Sequence, residues 1–114
     1  MWLLTPIGFF SIVEKPGNRE AGTLTVRARV RKDLDSLRDE FLPELGAIVE
    51  GEGTDYRYRA RAPREAVADA TRRLALSIDY DNFKSEVARR QGRKRASLYG
   101  EVWEVLLHLD SKRR

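Results

Sequence analysis

The amino-acid sequence predicts one α+β domain, residues 1–114, built as an antiparallel sheet of about four strands with helices on one face. The length of 114 residues is typical of one domain, and hydrophobic residues, at 41% of the chain, suffice for one core. Two segments alternate apolar and polar residues as half-buried strands do. Other segments carry apolar residues at the spacing of an amphipathic helix.

The N-terminal residues are apolar and predict a β-hairpin. Trp2 to Leu4 is followed by a turn at Thr5 to Gly8 and by a β-branched and aromatic strand from Phe9 to Glu14. This start has neither the basic region nor the small-residue cleavage site of a signal peptide. We therefore expect core structure and a cytoplasmic protein. No apolar stretch approaches the ~18 residues of a membrane span.

The next segment predicts a strand and a helix. A loop at Lys15 to Asn18 leads to a strand from Thr23 to Arg31. Asp33 can cap a helix that ends near Pro43 and Gly46. The apolar face of the strand carries Leu24, Val26, Ala28 and Val30.

A second alternating strand follows. Ala47 to Glu50 predicts a short strand, Gly51 to Gly53 a hairpin turn and Tyr56 to Ala62 the longer strand. Pro63 suits the first position of a helix that continues to Ile78. The apolar face of the longer strand carries Tyr56, Tyr58, Ala60 and Ala62.

The last third of the chain predicts helices. Asp81 or Asn82 can cap a helix that starts near Phe83, and Gly92 can end it. The final helix has a wide apolar stripe, in which we expect Trp103 to be buried. We also expect this stripe to support a homodimer. The stripe consists of Leu98, Tyr99, Val102, Trp103, Val105, Leu106 and Leu109.

The order of elements indicates the topology. The section from Thr23 to Ile78 reads β-α-β-β-α, which matches most of a ferredoxin-like unit. The place of that unit's last strand, around Asp79, has the pattern of a helix cap. We therefore expect the N-terminal hairpin to fill that place, with further helices at the C-terminus.

Four segments carry a resemblance. They are residues 1–17 (MWLLTPIGFFSIVEKPG), 24–29 (LTVRAR), 53–56 (GTDY) and 79–84 (DYDNFK). Together they resemble a family of small uncharacterised bacterial proteins of about this length, over essentially the whole chain. The resemblance implies a bacterial origin and no activity. Acylphosphatases share the ferredoxin-like fold, but their phosphate-cradling glycine loop is absent here, which disfavours a phosphohydrolase.

Composition narrows the chemistry. The net charge is +4, and seventeen of the 22 basic residues are Arg, which pairs bidentately with carboxylate or phosphate. The absence of Cys excludes disulfides, iron–sulfur clusters and thiol catalysis. The single His108 excludes any mechanism that needs two imidazoles. We expect no catalytic residue, no metal site and no cofactor.

The main candidate site is a double ladder of Arg on the polar faces of the two long strands. Alternate residues of a strand lie ~6.6–6.8 Å apart on one face, which suits contact with phosphates. The alternative is a solvated face paired with carboxylates such as Glu14, Glu50 and Glu52. The predicted alternation leaves this face without aromatic residues for base stacking. The ladder comprises Arg27, Arg29, Arg31, Arg57, Arg59 and Arg61.

A second basic cluster lies around Gly92. It can supply another phosphate contact, or it can be an exposed helix end whose cations suit the helix dipole. The cluster comprises Arg89, Arg90, Arg93, Lys94 and Arg95.

Three functions remain open from the sequence. The first is a binding module whose Arg face takes nucleic acid or another anionic partner. The second is a structural or interaction protein that self-associates through a sheet edge or the last helix. The third is a small enzyme with Asp79 or Asp81 as acid or base, which requires a pocket with a perturbed carboxylate.

Overall fold

The computed structural model describes residues 1–51 and 55–110, which form strands and helices in an α+β arrangement. The chain divides into two compact units, Met1–Asp79 and Tyr80–Arg114. Among the described residues, the first unit contains the sheet and three helices, and the second contains two helices and a 3₁₀ turn. The α+β fold class is confirmed, whereas the assignment of the whole chain to one domain stays a prediction.

The first unit contains a five-stranded antiparallel sheet with the order β1-β2-β3-β5-β4. Strand β3 pairs with β5 along one edge and with β2 along the other. The N-terminal hairpin therefore occupies the position of the last strand of a ferredoxin-like unit, as predicted. The strands are β1 (Trp2–Thr5), β2 (Gly8–Val13), β3 (Thr23–Ala28), β4 (Val49–Glu50) and β5 (Tyr58–Pro63).

The helices of this unit are α1 (Asn18–Ala21), α2 (Arg31–Glu40) and α3 (Arg64–Leu76). Helices α2 and α3 pack their apolar residues against one face of the sheet. The four-residue α1 lies in the connection from β2 to β3, where Asn18 hydrogen-bonds Thr23 and Thr25. Those two threonines alternate with the core residues of β3, so α1 lies towards the opposite face.

The core lies between the sheet and the helices α2 and α3. Ile12 pairs with Val26, and Val26 pairs with Ala60, so these three residues share one face. Leu34 of α2 has no exposed surface. The expectation that Val30 is buried is wrong, because β3 ends at Ala28 and Val30 is the N-cap of α2, 42% exposed.

Helix α2 begins earlier than the sequence predicts, at Arg31, and Asp33 does not cap it. The Asp33 side chain is buried, and its Oδ2 accepts a hydrogen bond of 3.0 Å from the backbone N–H of Phe9. A Cβ at Gly8 would lie 2.6 Å from Cγ of Asp33. Gly8 therefore permits the close approach that joins the hairpin to α2.

The second unit is a helical hairpin formed by α4 (Phe83–Gln91) and α5 (Arg93–Leu106), followed by a 3₁₀ turn at Leu107–Leu109. The predicted cap is confirmed, since Oδ1 of Asn82 accepts a hydrogen bond of 2.9 Å from the Ser85 N–H. The predicted break is confirmed as well, because Gly92 separates the helices with φ of 95°.

Helix α5 carries a mostly exposed apolar surface. The expectation that Trp103 is buried is wrong, because this residue is 64% exposed. Of the stripe, only Tyr99 is buried, and its ring stacks on Phe83 with centroids 5.8 Å apart. No helix in residues 1–51 and 55–110 is long and apolar enough to cross a membrane.

Candidate functional site

The strand register defines the sheet face opposite α2 and α3, which we call the arginine face. Residues that pair across neighbouring strands point to the same side. Trp2 pairs with Ser11, Ser11 with Arg27, Arg27 with Arg59, and Arg59 with Val49. These five residues form one row across the sheet, on the side that the core residues do not occupy.

Arg27 and Arg59 lie directly opposite each other at the centre of this row. Residues in such antiparallel pairs have Cα atoms ~4.5–5.5 Å apart. Nη2 of Arg27 donates a hydrogen bond of 2.7 Å to Oγ of Ser11. The Nε atoms of both arginines are buried and have no hydrogen-bond partner within the part of the chain that the structure describes. Two like charges in this position destabilise a sheet.

Arg29 and Arg61 extend the basic surface along the two strands. Arg29 follows the last residue of β3 and is exposed, with its guanidinium carbon 4.9 Å from the ring centroid of Tyr56. Arg61 pairs with Thr25 and is also exposed. The polar alternation predicted for β3 and β5 therefore brings four arginines together: Arg27, Arg29, Arg59 and Arg61.

The carboxylates expected to neutralise this face bind other arginines. Glu14 pairs with Arg19 and Arg64, and Oε1 of Glu50 lies 2.5 Å from Nε of Arg57. This hydrogen bond and the charge of Glu50 raise the pKa of Arg57. Glu52 lies outside the described residues. Among the residues that are described, no salt bridge joins a carboxylate to Arg27, Arg29, Arg59 or Arg61.

Arg31 and Arg57 differ from the other members of the predicted ladder. The expectation that Arg31 lies on the strand is wrong, because β3 ends at Ala28 and Arg31 is the first residue of α2. There its Nε is 3.9 Å from Oδ2 of Asp35, one helical turn away. Arg57 precedes β5 and is neutralised by Glu50, as the alternative of a paired, solvated face proposed.

Aromatic residues are present on the arginine face, contrary to the expectation from the alternation. Strand β5 begins at Tyr58, so Tyr56 lies before the strand. The alternation of side chains between the two faces of β5 therefore does not apply to Tyr56. The Arg27 guanidinium carbon is 4.4 Å from the Tyr56 ring centroid. Phe9 lies 6.2 Å from Tyr56 and 5.6 Å from Trp2, centroid to centroid. Trp2, Phe9 and Tyr56 therefore form a row beside the arginines.

A groove of about 460 Å³ lies next to Arg59 and Arg61. This volume is within the range of small-molecule sites. The groove is not predictable from a local sequence pattern, because its walls come from segments far apart in the chain. Among the described residues that line it there is no Asp, Glu or His, and six of them are Lys15, Thr25, Ala47, Val49, Arg59 and Arg61.

Lys15 adds a further cation to the edge of this groove. Its backbone N–H donates a hydrogen bond of 2.6 Å to Oδ1 of the fully buried Asn18. The same oxygen accepts a hydrogen bond of 2.8 Å from Oγ1 of Thr25 in β3. Asn18 therefore fixes the loop before α1 to the sheet. The turn composition around Asn18 signalled a loop but not this contact.

The second basic cluster belongs to the other compact unit, at the junction of α4 and α5 that Gly92 creates. Arg89 pairs with Glu86 at 2.5 Å, and this hydrogen bond lowers the pKa of the Glu86 carboxyl. Nη1 of Arg95 donates to the hydroxyl of Tyr99 at 3.3 Å. The remaining members, Arg90, Arg93 and Lys94, are exposed.

The two candidate acid–base residues, Asp79 and Asp81, do not lie in the groove described above. Both residues are exposed. No group of three or more His, Cys, Asp or Glu side chains that could hold a metal occurs in the ranges 1–51 and 55–110.

Comparison with family models, curated proteins and solved structures gave no match to the chain. We therefore infer the chemistry of the arginine face from its geometry alone.

Proposed function

We propose that the protein is a cytoplasmic binding module that holds nucleic acid on its arginine face. One observation carries the proposal. Arg27, Arg29, Arg59 and Arg61 lie together on one sheet face, and within the described residues no carboxylate neutralises them.

A bound phosphate would relieve the electrostatic cost of this face. Arg27 and Arg59 repel each other across the strand pair, and their buried Nε atoms lack acceptors among the described residues. Two oxygens of a phosphate can accept parallel hydrogen bonds from one guanidinium, and the phosphate's negative charge offsets both cations. Each phosphate that is neutralised also releases counterions from the nucleic acid, which favours binding.

The spread of charge favours a polyanion over a single small anion. Neighbouring strands are ~4.8 Å apart and alternate residues of one strand ~6.8 Å apart, so the guanidiniums are distributed over the sheet. Several phosphates can then be contacted at once. The adjoining aromatic row includes the exposed ring of Trp2, and sheet-type nucleic-acid binders stack bases on exposed aromatic rings.

The test compares two substitutions on nearby positions of the same segment. We expect Arg59→Ser to weaken binding of a labelled 12-nucleotide strand, measured by fluorescence anisotropy near 50 mM salt. Arg57→Ser removes the same charge, but Arg57 is already neutralised by Glu50, so its effect on affinity should be smaller. Equal effects of the two substitutions, or no binding by the unmodified protein, would overturn the proposal.

A second candidate function is self-association through α5. Large apolar residues in and just after this helix are exposed, and such patches are typical of protein interaction sites. The exposed residues are Leu98, Trp103, Val105, Leu106 and Leu109.

A further inference from the structure

Trp2 has a position on the arginine face that core packing does not explain. It is the first residue of β1, at the edge of the sheet, and it is 65% exposed. Burying a large aromatic side chain is favourable, so an exposed Trp beside a basic surface calls for a reason. The ring contacts Phe9 edge to face, at 87° and 5.6 Å between centroids. This contact orients the indole while most of the residue stays accessible.

The register connects Trp2 with the phosphate-binding arginines. Trp2 pairs with Ser11, and Ser11 pairs with Arg27 and accepts a hydrogen bond from its guanidinium. Trp2 and Arg27 are thus two strand spacings apart, about 9.6 Å. A phosphate held by Arg27 can carry an attached nucleoside towards the indole.

We propose that Trp2 stacks a nucleobase, so that the arginine face selects single-stranded over double-stranded nucleic acid. This inference rests on the proposed function and specifies its substrate class. Aromatic side chains bind single strands by stacking on bases, with little sequence preference because every base has a π-face. The bases of a duplex are already stacked and paired, so they are not available to Trp2.

Tyr56 has a different role in the same row. It is 4% exposed and lies beneath Arg27 and Arg29, with guanidinium carbons 4.4 and 4.9 Å from its ring centroid. A base cannot reach a ring that is covered in this way. Tyr56 therefore supports the two guanidiniums by cation–π contact, and Trp2 is the accessible aromatic residue of the row.

The first experiment uses the tryptophan fluorescence of Trp2. The chain has two Trp residues, and Trp103→Phe replaces an exposed one in the other compact unit. In this background a 12-nucleotide single strand should quench the remaining fluorescence, with the same midpoint as the anisotropy titration. A duplex of equal length should cause no quenching.

The second experiment separates stacking from charge. Trp2→Leu should weaken binding of the single strand roughly 5- to 150-fold, the loss of one stacked base. Trp2→Phe keeps an aromatic ring and should restore most of the affinity. An abasic strand with the same number of phosphates should bind the unmodified protein and Trp2→Leu equally. A urea melt checks that both variants fold.

The outcomes distinguish this inference from the proposed function. No binding of any strand by the unmodified protein overturns both. Salt-sensitive binding without fluorescence quenching, or with equal affinity for the abasic strand, overturns the stacking role and leaves the phosphate contacts standing. Equal loss of affinity with Trp2→Leu and Trp2→Phe also contradicts stacking, because only the first removes the aromatic ring.

Discussion

Arg27 and Arg59 are an unusual pair for the centre of a sheet. They face each other across antiparallel strands, and in the described chain their buried Nε atoms bond to no acceptor. Directly opposed like charges destabilise a strand pair by roughly 0.2–1 kcal/mol. The Tyr56 ring under Arg27 compensates part of this cost by cation–π attraction. The rest of this repulsion lowers the stability of the free protein, and we expect a bound anion to offset it.

Removing one of these charges should therefore stabilise the free protein. Arg59→Gln keeps most of the aliphatic stem and eliminates the guanidinium with its buried Nε. We expect the free energy of unfolding at low salt to rise by about 0.2–1 kcal/mol. Urea denaturation at low ionic strength measures this change. Added phosphate should stabilise the unmodified protein more than the variant, because only a folded binding site gains from its ligand.

Arg57→Gln is the matched control for that substitution. Arg57 lies two residues before Arg59 in the chain, but its Nε is 2.5 Å from Oε1 of Glu50. Neutralising it removes an attraction rather than a repulsion, so no gain in stability is expected. Were Arg59→Gln to destabilise the protein at low salt as well, Arg59 would hold a stabilising contact and the repulsion argument would fail.

A close contact between Asp33 and the start of β2 helps to join the hairpin β1–β2 to helix α2. The buried Asp33 carboxylate accepts the Phe9 N–H, and a Cβ at Gly8 would lie 2.6–2.9 Å from three atoms of Asp33. A side chain at Gly8 therefore displaces Asp33 from its hydrogen bond. The contact also holds Phe9, and through it Trp2, in position at the edge of the arginine face.

The substitution Gly8→Ala tests this contact, and Gly100→Ala is a control at a glycine whose added Cβ has room. Gly8→Ala should lower the free energy of unfolding by about 1–3 kcal/mol, the usual cost of overpacking. Gly100→Ala lies inside α5, where the new Cβ meets only the flexible end of Lys84 at 3.4 Å. It should raise helix stability by about 0.5–1 kcal/mol. Thermal melts of both variants check the signs, and a neutral Gly8→Ala would contradict the contact.

The elements that the sequence predicted well are those with strong local signals. Alternation identified β3 and β5 because the core side chains lie on one face of each strand and the polar side chains on the other. The predicted cap at Asn82 and the predicted break at Gly92 are confirmed, because capping and breaking a helix depend mainly on the residue itself. Asp33 was misassigned as a cap because its partner is the Phe9 N–H, 24 residues away in the chain.

The candidate site was predictable in part for the same reason. Alternation placed Arg27 and Arg59 on polar faces, but their direct opposition depends on strand register, which no local pattern encodes. The pattern also continues past the true strand ends. It therefore assigned Arg31 to a strand that stops at Ala28 and Tyr56 to a strand that starts at Tyr58.

At the scale of the whole molecule, the exposed apolar surface of α5 predicts association. We expect a homodimer at micromolar concentration, with twice the monomer mass of 13.1 kDa in light scattering. Trp103→Glu places a charge in the middle of the apolar surface and should shift the mass to that of the monomer. A monomer mass for the unmodified protein across the micromolar range would contradict self-association through this surface.

A net charge of +4 gives little attraction to nucleic acid at a distance. Glu14 pairs with Arg19 and Arg64, and Glu50 pairs with Arg57. Within the described residues, no salt bridge neutralises the strand arginines Arg27, Arg59 and Arg61, which share one face. We therefore predict a few specific phosphate contacts on the arginine face, and not a diffuse attraction that any surface arginine would support.

The salt dependence of single-strand binding tests this claim most directly. The logarithm of the affinity of a 12-nucleotide strand should fall linearly with the logarithm of the salt concentration. Replacing Arg27 and Arg59 by Ser together should reduce the slope by about 1.4, from two lost phosphate contacts at ~0.7 each. Arg57→Ser should leave the slope nearly unchanged. A slope that is flat in the unmodified protein, or equal in the double variant, would contradict the arginine face as a phosphate-binding surface.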